Sequence, residues 1–183
     1  DVFRRPAVTF VAGIVLGCFV MFVVLGNRPN VAGPEFPGPP VVVNASLTVE
    51  HMGRTQVYKG ELVDGKKHGF GKYVSPVDGS TYEGEWANDR KEGKGTFTEA
   101  GGARYEGDWK ADRKHGKGTY GTPDGTTYSG DWKDDRQTGQ GTLTTSDGSK
   151  YVGGFLNGRK DGRGILREKG KVYDGYWADD RFV

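Results

Sequence analysis

Residues 82–97 read YEGEWANDRKEGKGTF, and this stretch decides the fold because it holds both phrases of a unit that the chain repeats. In an extended strand alternate residues share a face, so Tyr82, Gly84 and Trp86 point one way and the two acids between them point the other way. The second phrase, GKGTF at 93–97, alternates in the same manner. The unit therefore predicts two strands with one face of aromatic rings and bare glycine backbone.

The unit recurs along the rest of the chain with a nearly constant period. First phrases begin at Tyr58, Tyr82, Tyr105, Tyr128, Tyr151 and Tyr173, and the intervals between these tyrosines are 24, 23, 23, 23 and 22 residues. A second phrase of the Gly-x-Gly type follows in each of the first five units. A fixed period of this kind marks a repeat array. The sequence therefore predicts an all-β fold over 58–183, an open single-layer ribbon of antiparallel hairpins.

Glycine is the most unusual feature of the composition, with 32 of 183 residues against a typical share of about 7%. We expect aromatic rings to lie over glycines of neighbouring strands, where a Cβ would clash. The opposite face should pair acids of the first strand with Lys or Thr of the second strand. Asp-Gly dipeptides at 78–79, 124–125 and 147–148 predict tight hairpin turns, because these glycines accept a positive φ.

The aromatic face is the first candidate binding surface. Tyrosine and tryptophan are favoured at protein interfaces. We therefore expect an exposed array of rings that offers an aromatic and glycine groove to a partner segment. The predicted residues of this face are Tyr82, Trp86, Tyr105, Trp109, Tyr128, Trp132, Tyr151, Phe155, Tyr173 and Trp177.

A second candidate surface is a set of basic residues that recur in phase between the two phrases. We expect them to line one rim of the ribbon and to attract anionic lipid headgroups or an acidic protein, with multivalency strengthening weak sites. The alternative is a solvated turn, and aspartates between the basic residues weaken their field. This basic rim comprises Lys66, Lys67, Arg90, Lys91, Arg113, Lys114, Arg136, Arg159 and Lys160, with Asp78, Asp124 and Asp147 on the other rim.

The two phrases resemble the MORN repeat family, whose unit looks like Tyr-Glu-Gly-Glu-Trp, an Asn/Asp-Gly-Lys-type turn and His-Gly-x-Gly. The resemblance covers 58–183, and five nearly complete units agree in phase. The fifth unit departs most, since Val152 and Gly154 replace acids and Phe155 replaces tryptophan. The sixth stops at Val183 before its second strand, which predicts either a longer chain or an open sheet edge. The resemblance implies a scaffold or a membrane-associated tether.

A membrane anchor is predicted before the repeats. Residues 7–26 are twenty consecutive residues without a charge, and a helix of that length crosses about 30 Å, the thickness of the hydrocarbon core. Gly13 and Gly17 form a small-xxx-small pair that permits close packing against another helix. We expect a single-pass helix, with a cleaved secretory signal peptide as the alternative.

The remaining segments complete the predicted organisation. Two arginines precede the helix and one follows it, which places the N-terminus on the cytosolic, matrix or stromal side. The chain begins at Asp1, and a cleaved leader would favour a mitochondrial inner or thylakoid membrane. The predicted segments are the flank 1–6, the transmembrane helix 7–26, the Pro-rich linker 27–40, the β capping segment 41–57 and the repeats 58–183.

The sequence contains no motif that indicates catalysis. Cys18 is the single cysteine, which excludes a disulfide framework and a cysteine zinc site. The net charge of +2 is too small for a dedicated nucleic-acid binder. His68 and His115 occupy the same repeat position, which is typical of a consensus turn residue. The Gly-x-Gly motif begins a predicted strand in this chain, whereas a phosphate-binding loop would precede a helix. The motif therefore does not indicate a phosphate-binding loop.

These observations predict a non-enzymatic, membrane-anchored scaffold without cofactor or metal. We expect it to be an accessory subunit of a larger membrane protein complex, contacting other subunits through the repeat ribbon and the transmembrane helix. The alternative is a tether that binds anionic lipid through the basic rim.

Overall fold

The computed structural model describes the backbone of residues 42–51 and 54–183, and the side chains of 42, 43 and 57–183. The predicted transmembrane helix with Gly13 and Gly17, its N-terminal flank and the Pro-rich linker lie outside the described residues. Within the described part of the chain, no apolar helix has the length that crossing a bilayer requires.

Over the described residues the architecture is one antiparallel sheet of 13 strands, in which each strand pairs with the next one in the chain. The strands are β1 Val42–His51, β2 Arg54–Val63, β3 Lys66–Val74, β4 Thr81–Ala87, β5 Arg90–Thr98, β6 Arg104–Lys110, β7 Arg113–Gly121, β8 Thr127–Lys133, β9 Arg136–Thr144, β10 Lys150–Leu156, β11 Arg159–Glu168, β12 Lys171–Ala178 and β13 Arg181–Phe182. The prediction of an all-β open hairpin ribbon is confirmed for the repeats. Within the predicted capping segment, β1 pairs along its whole length with β2.

Two kinds of turn connect the strands, one within each unit and the other between consecutive units. Inside each unit the two strands join through a two-residue loop, and in the second unit Asn88 and Asp89 have φ of 50° and 68°. Such paired positive φ values suit the right-handed twist of a hairpin. Between units, the positive φ predicted for the Asp-Gly glycines is confirmed, since Gly79, Gly125 and Gly148 have φ of 79°, 91° and 84°. The connections that hold these dipeptides, residues 75–80, 122–126 and 145–149, are longer than the tight turns that the sequence predicted.

A β-bulge in the second strand of each of the first five repeat hairpins is a feature that simple alternation did not predict. Gly84 pairs with Gly95 and Trp86 with Lys91, so β4 advances by two residues where β5 advances by four. Gly93 lies in this bulge with a φ of 59°, a value that glycine adopts without strain. The bulge shifts the pairing register at the start of β5 relative to simple alternation.

The core lies on one face of the sheet, as a row of rings over glycine. Tyr82 lies against Gly84 and Gly95, and a Cβ on either glycine would collide with its hydroxyl end. The Tyr82 hydroxyl donates a hydrogen bond to the Glu85 carbonyl at 2.9 Å. The Trp86 indole N–H donates to the Gly71 carbonyl of the preceding unit at 3.1 Å. The expectation that rings cover glycines of neighbouring strands is therefore confirmed.

Candidate binding surfaces

The aromatic face is a buried core, and the expectation that its rings are exposed is wrong. The tyrosines that begin the first five units are at most 1% exposed, and the tryptophans are between 4% and 6% exposed. Tyr105, for example, packs edge-to-face against Trp109 and Trp132 at centroid distances of 5.1 and 5.2 Å. In a single-layer sheet these rings are the apolar groups available to bury one another.

Burial extends along the predicted aromatic face. Tyr82, Trp86, Tyr105, Trp109, Tyr128, Trp132, Tyr151, Phe155 and Trp177 are buried, and Tyr173 is half-buried. Partner binding by these residues stays a prediction, and it is limited to the parts of the rings that remain accessible.

Lysines of the basic rim cover this aromatic core. Lys91 Nζ lies 4.4 Å from the ring centroid of Phe97, 4.6 Å from that of Trp109 and 5.5 Å from that of Tyr82. Burial lowers the pKa of Lys91 below its ordinary value, and neighbouring carboxylates, first that of Asp112, act in the opposite direction. The same cation–π arrangement holds for Lys67, Lys114 and Lys160. Four of the nine predicted rim residues therefore close the core.

Aspartates of the two-residue loops form hydrogen bonds with the backbone of these lysines, which lie in the preceding repeat. The Asp112 N–H donates to the Lys91 carbonyl at 3.0 Å, and the Asp112 carboxylate accepts from the Lys91 N–H at 2.8 Å. Equivalent carboxylate contacts join Asp89 to Lys67, Asp135 to Lys114 and Asp180 to Lys160. Asp89, Asp112 and Asp135, which were expected to weaken the field of the basic rim, therefore connect consecutive hairpins, as Asp180 does.

We expect Lys91→Gln to lower the free energy of unfolding by about 1 kcal/mol, because it removes a partly desolvated cation–π contact. Lys91→Glu should cost more, since it places an anion over electron-rich ring faces. Urea unfolding of the full chain in mild detergent, followed by tryptophan fluorescence, measures both. Arg90→Gln, at the exposed neighbouring position, is the matched control and should stay within about 0.5 kcal/mol of the wild type. Equal effects of the two glutamine variants would contradict the capping role of Lys91.

We expect Asp112→Ala to destabilise the chain by about 2 kcal/mol, and Asp112→Asn by a few tenths. Asp112 has a φ of 71°, which alanine adopts only with strain, and alanine also loses the acceptor for the Lys91 N–H. Asparagine keeps an acceptor oxygen and tolerates the left-handed region. The same urea titration distinguishes the two variants. An asparagine variant as unstable as the alanine variant would contradict a stabilising role of the hydrogen bond between Asp112 and the Lys91 N–H.

The other rim residues remain at the surface. They begin strands β3, β5, β7, β9 and β11, and they do not lie in the turns that precede those strands. Arg113 pairs with Asp134 at 3.4 Å, and Arg159 pairs with Asp179 at 3.0 Å. Exposed pairs of this kind contribute little stability. The exposed members of the basic rim are Lys66, Arg90, Arg113, Arg136 and Arg159.

A groove lies on the opposite, polar face of the sheet, and the predictions from sequence did not include it. It has a volume of about 1240 Å³ and runs from Phe70 in β3 to Val152 in β10. Its floor is glycine backbone from six strands, and hydroxyls such as those of Thr96 and Thr119 line it. The signal in the sequence was the run of Thr, Glu and Lys at the outward positions of each phrase.

Ion pairs across consecutive repeats border this groove. Lys72 pairs with Glu83 at 3.2 Å and Lys117 pairs with Asp131 at 2.6 Å. The hydrogen bond from Lys117 lowers the pKa of Asp131 below its ordinary value, although partial burial opposes this. These contacts confirm the predicted pairing of acids with lysines on the polar face. They also leave the groove with paired charges of both signs.

The acid that precedes the tryptophan in the second, third and fourth units has a further role. The Glu85 carboxylate covers Gly93 and accepts a hydrogen bond from the Lys94 N–H at 2.8 Å. Asp108 and Asp131 bind Lys117 N–H and Gln140 N–H in the same way. These carboxylates therefore cap the bulges of the second, third and fourth hairpins.

His68 and His115 lie next to the bulges, in strands β3 and β7, so their interpretation as turn residues is wrong. Nδ1 of His68 and of His115 is buried and has no hydrogen-bond partner. Among the described residues, no group of three His, Cys, Asp or Glu side chains could hold a metal ion.

Each of the first five repeat hairpins contributes a tyrosine and two paired glycines, and its tyrosine packs against an aromatic ring of the next hairpin. This arrangement defines a single-layer β-hairpin repeat protein. The family model for the MORN repeat matches residues 58–80, 82–104, 105–127, 128–150 and 151–167. The chain belongs to the MORN repeat family. MORN repeats are typically protein- or membrane-interaction modules. No curated protein sequence matches the chain.

Proposed function

We propose that this chain is a non-enzymatic scaffold, anchored in a membrane by residues 7–26, that holds a segment of another subunit of a membrane protein complex in the groove of its polar face. The observation that carries the proposal is the groove itself, about 1240 Å³ in volume and shared by successive repeats. A concave surface built from several repeats is what solenoid-like proteins use for extended partners.

The dimensions of the groove define its occupant. Seven strand spacings of about 4.8 Å separate β3 from β10, which gives a path of about 34 Å along the sheet. An extended segment of about ten residues covers that distance. The hydroxyl and paired-charge lining suits a polar segment. Phe70 and Val152, which are 57% and 47% exposed, lie at the two ends and suit one apolar residue near each end of the segment.

The alternative function, a tether for anionic lipid, depends on the basic rim. Four rim lysines lie over aromatic rings, so this alternative depends on the exposed arginines. Replacing Arg90, Arg113, Arg136 and Arg159 with glutamate tests it without disturbing the core. If the tether is correct, binding to vesicles that contain phosphatidylserine should fall several-fold. Under the scaffold proposal, vesicle binding should stay unchanged.

The experiment that tests the scaffold is mild-detergent extraction of the native protein, followed by native-gel sizing and mass spectrometry of co-migrating proteins. We expect migration within a large complex. Thr119→Trp, which fills the groove from an exposed strand position, should release the chain from that complex. Lys133→Trp adds the same side chain at an exposed position that does not line the groove, and it should leave the complex intact.

Two outcomes would contradict this proposal. Migration of the wild-type chain alone would exclude the accessory-subunit role. A stable complex that Thr119→Trp does not affect would keep that role and exclude the groove as the contact surface.

A further inference from the structure

The aromatic core has a gap between its fourth and fifth units. In the first three units the second phrase ends in a ring, at Tyr73, Phe97 and Tyr120, and leucines occupy this place at 143 and 166. Because a leucine side chain is shorter than an aromatic one, a pocket of about 360 Å³ opens between the two leucines, over Tyr151.

Lys160 borders this pocket and has fewer ring contacts than its counterparts. Lys67, Lys91 and Lys114 each lie near three ring centroids, at distances from 4.4 to 6.0 Å. Lys160 Nζ lies near two, 5.7 Å from that of Tyr151 and 4.9 Å from that of Trp177. The missing third ring corresponds to position 166, where the side chain is leucine.

The earlier repeats thus show what occupies this place. In the second unit, Phe97 packs edge-on against Trp109 at 6.1 Å and lies under Lys91 Nζ. We propose that the pocket between Leu143 and Leu166 receives an aromatic side chain from a protein partner, which supplies the third ring beside Lys160.

The rim of the pocket adds a preference for charge. Asp147 and Glu168 line it together with hydroxyls of Thr145 and Ser149. The two carboxylates favour basic residues on either side of the inserted ring, because opposite charges at the edge of an interface assist association. The partner feature is therefore a phenylalanine, tyrosine or tryptophan flanked by lysine or arginine. This site lies on the opposite face from the groove, so it is independent of the proposed scaffold function.

A titration of the full chain with a short peptide tests the site. The chain carries 5-fluorotryptophan, and fluorine NMR in mild detergent follows its four tryptophans. The probe is the capped peptide Lys-Gly-Phe-Gly-Lys, and the comparison peptides are Lys-Gly-Ala-Gly-Lys and Glu-Gly-Phe-Gly-Glu. We expect the phenylalanine-lysine peptide to shift the Trp177 signal. The alanine peptide should leave it unchanged, and the glutamate peptide should bind several-fold more weakly.

Filling the pocket provides the decisive variant. Leu166→Tyr restores the residue type of Tyr73 and Tyr120, so the variant should fold, and it should weaken peptide binding at least tenfold. Leu143→Phe fills the pocket from the other side and should act alike. Leu156→Tyr adds a ring at an exposed position outside the pocket and should bind as the wild type does. Unchanged signals of Trp86 and Trp109 confirm folding of each variant.

The proposal is overturned if the phenylalanine-lysine peptide does not shift Trp177, or if the alanine peptide shifts it equally. It is also overturned if both filled variants bind the peptide as the wild type does.

Discussion

Gly107→Ala is expected to destabilise the repeat array by about 3 kcal/mol or more, at the upper end of what overpacking costs. A Cβ at this position would lie 2.5 Å from the Gly118 Cα and 2.5 Å from the Lys117 carbonyl oxygen across the sheet. Both contacts are backbone atoms of β7, so no rotamer change relieves them. The pair Gly107–Gly118 would have to separate, and the array depends on such contacts between neighbouring strands.

Urea unfolding of the full chain measures this loss, and hydrogen exchange of the amides in β6 and β7 should locate it. Gly101→Ala is the matched control. Gly101 lies in a loop between repeats with nothing within 4 Å of an added Cβ, so its substitution should change stability by less than about 0.5 kcal/mol. A Gly107→Ala variant as stable as the control would show that the two strands can separate without cost, which would exclude the close-approach explanation of the glycine pairs.

Alkaline solution is expected to unfold the repeats cooperatively above pH 10. Burial raises the pKa of Tyr58 to about 12 and that of Tyr128 to about 12, and it raises the pKa of Tyr82, Tyr105 and Tyr151 in the same direction. A raised tyrosine pKa means that the folded state keeps a proton that the unfolded state loses near pH 10. The stabilisation is therefore complete below pH 10 and is lost as the pH rises towards the folded value.

The slope of this loss is about 1.4 kcal/mol per pH unit for each tyrosine that stays protonated in the folded state. Five such residues make the transition steep. Each hydroxyl also donates to a carbonyl, as Tyr105 does to Asp108 at 2.9 Å, and ionisation removes that donor. Tyrosinate absorbance and the near-ultraviolet circular dichroism of tryptophan should change together.

Tyr105→Phe is the control for the alkaline transition. It should lower stability at neutral pH by about 1 kcal/mol through the lost hydrogen bond, and it should make the alkaline transition shallower by one proton. Tyrosines that ionise near pH 10 without any loss of the tryptophan signal would show that the hydroxyls are not held by the fold.

Much of the architecture was predictable from sequence. The tyrosine period, the alternation in the two phrases and the Asp-Gly dipeptides predict a hairpin array, and the family match covers five units from 58 to 167. Local rules suffice here because every strand pairs with its sequence neighbour. Strand pairing, turn type and the face that each ring occupies are then all consequences of spacing within about 24 residues.

The candidate surfaces were harder to predict, and the lysines show why. Position 91 looks like any other rim cation in sequence, and its neighbour Arg90 looks the same. The bulge at Gly93 shifts the register at the beginning of β5, and Lys91 then pairs with Trp86 across the hairpin. Its ammonium group lies near the Phe97 ring of its own unit and the Trp109 ring of the next repeat. Alternation counted from the phrase could not include a shift that arises from backbone geometry.

The sequence by itself determined the repeat, the strands, the turns and the presence of rings over glycine, because these follow from side-chain period and from the conformations that glycine and aspartate accept. Only the tertiary structure decided that the aromatic face is closed, that four rim lysines cover it, and that the accessible groove lies on the polar face. Burial depends on how each ring packs against the repeat on either side of it. The spacing of residues within one unit contains no information about this packing between repeats.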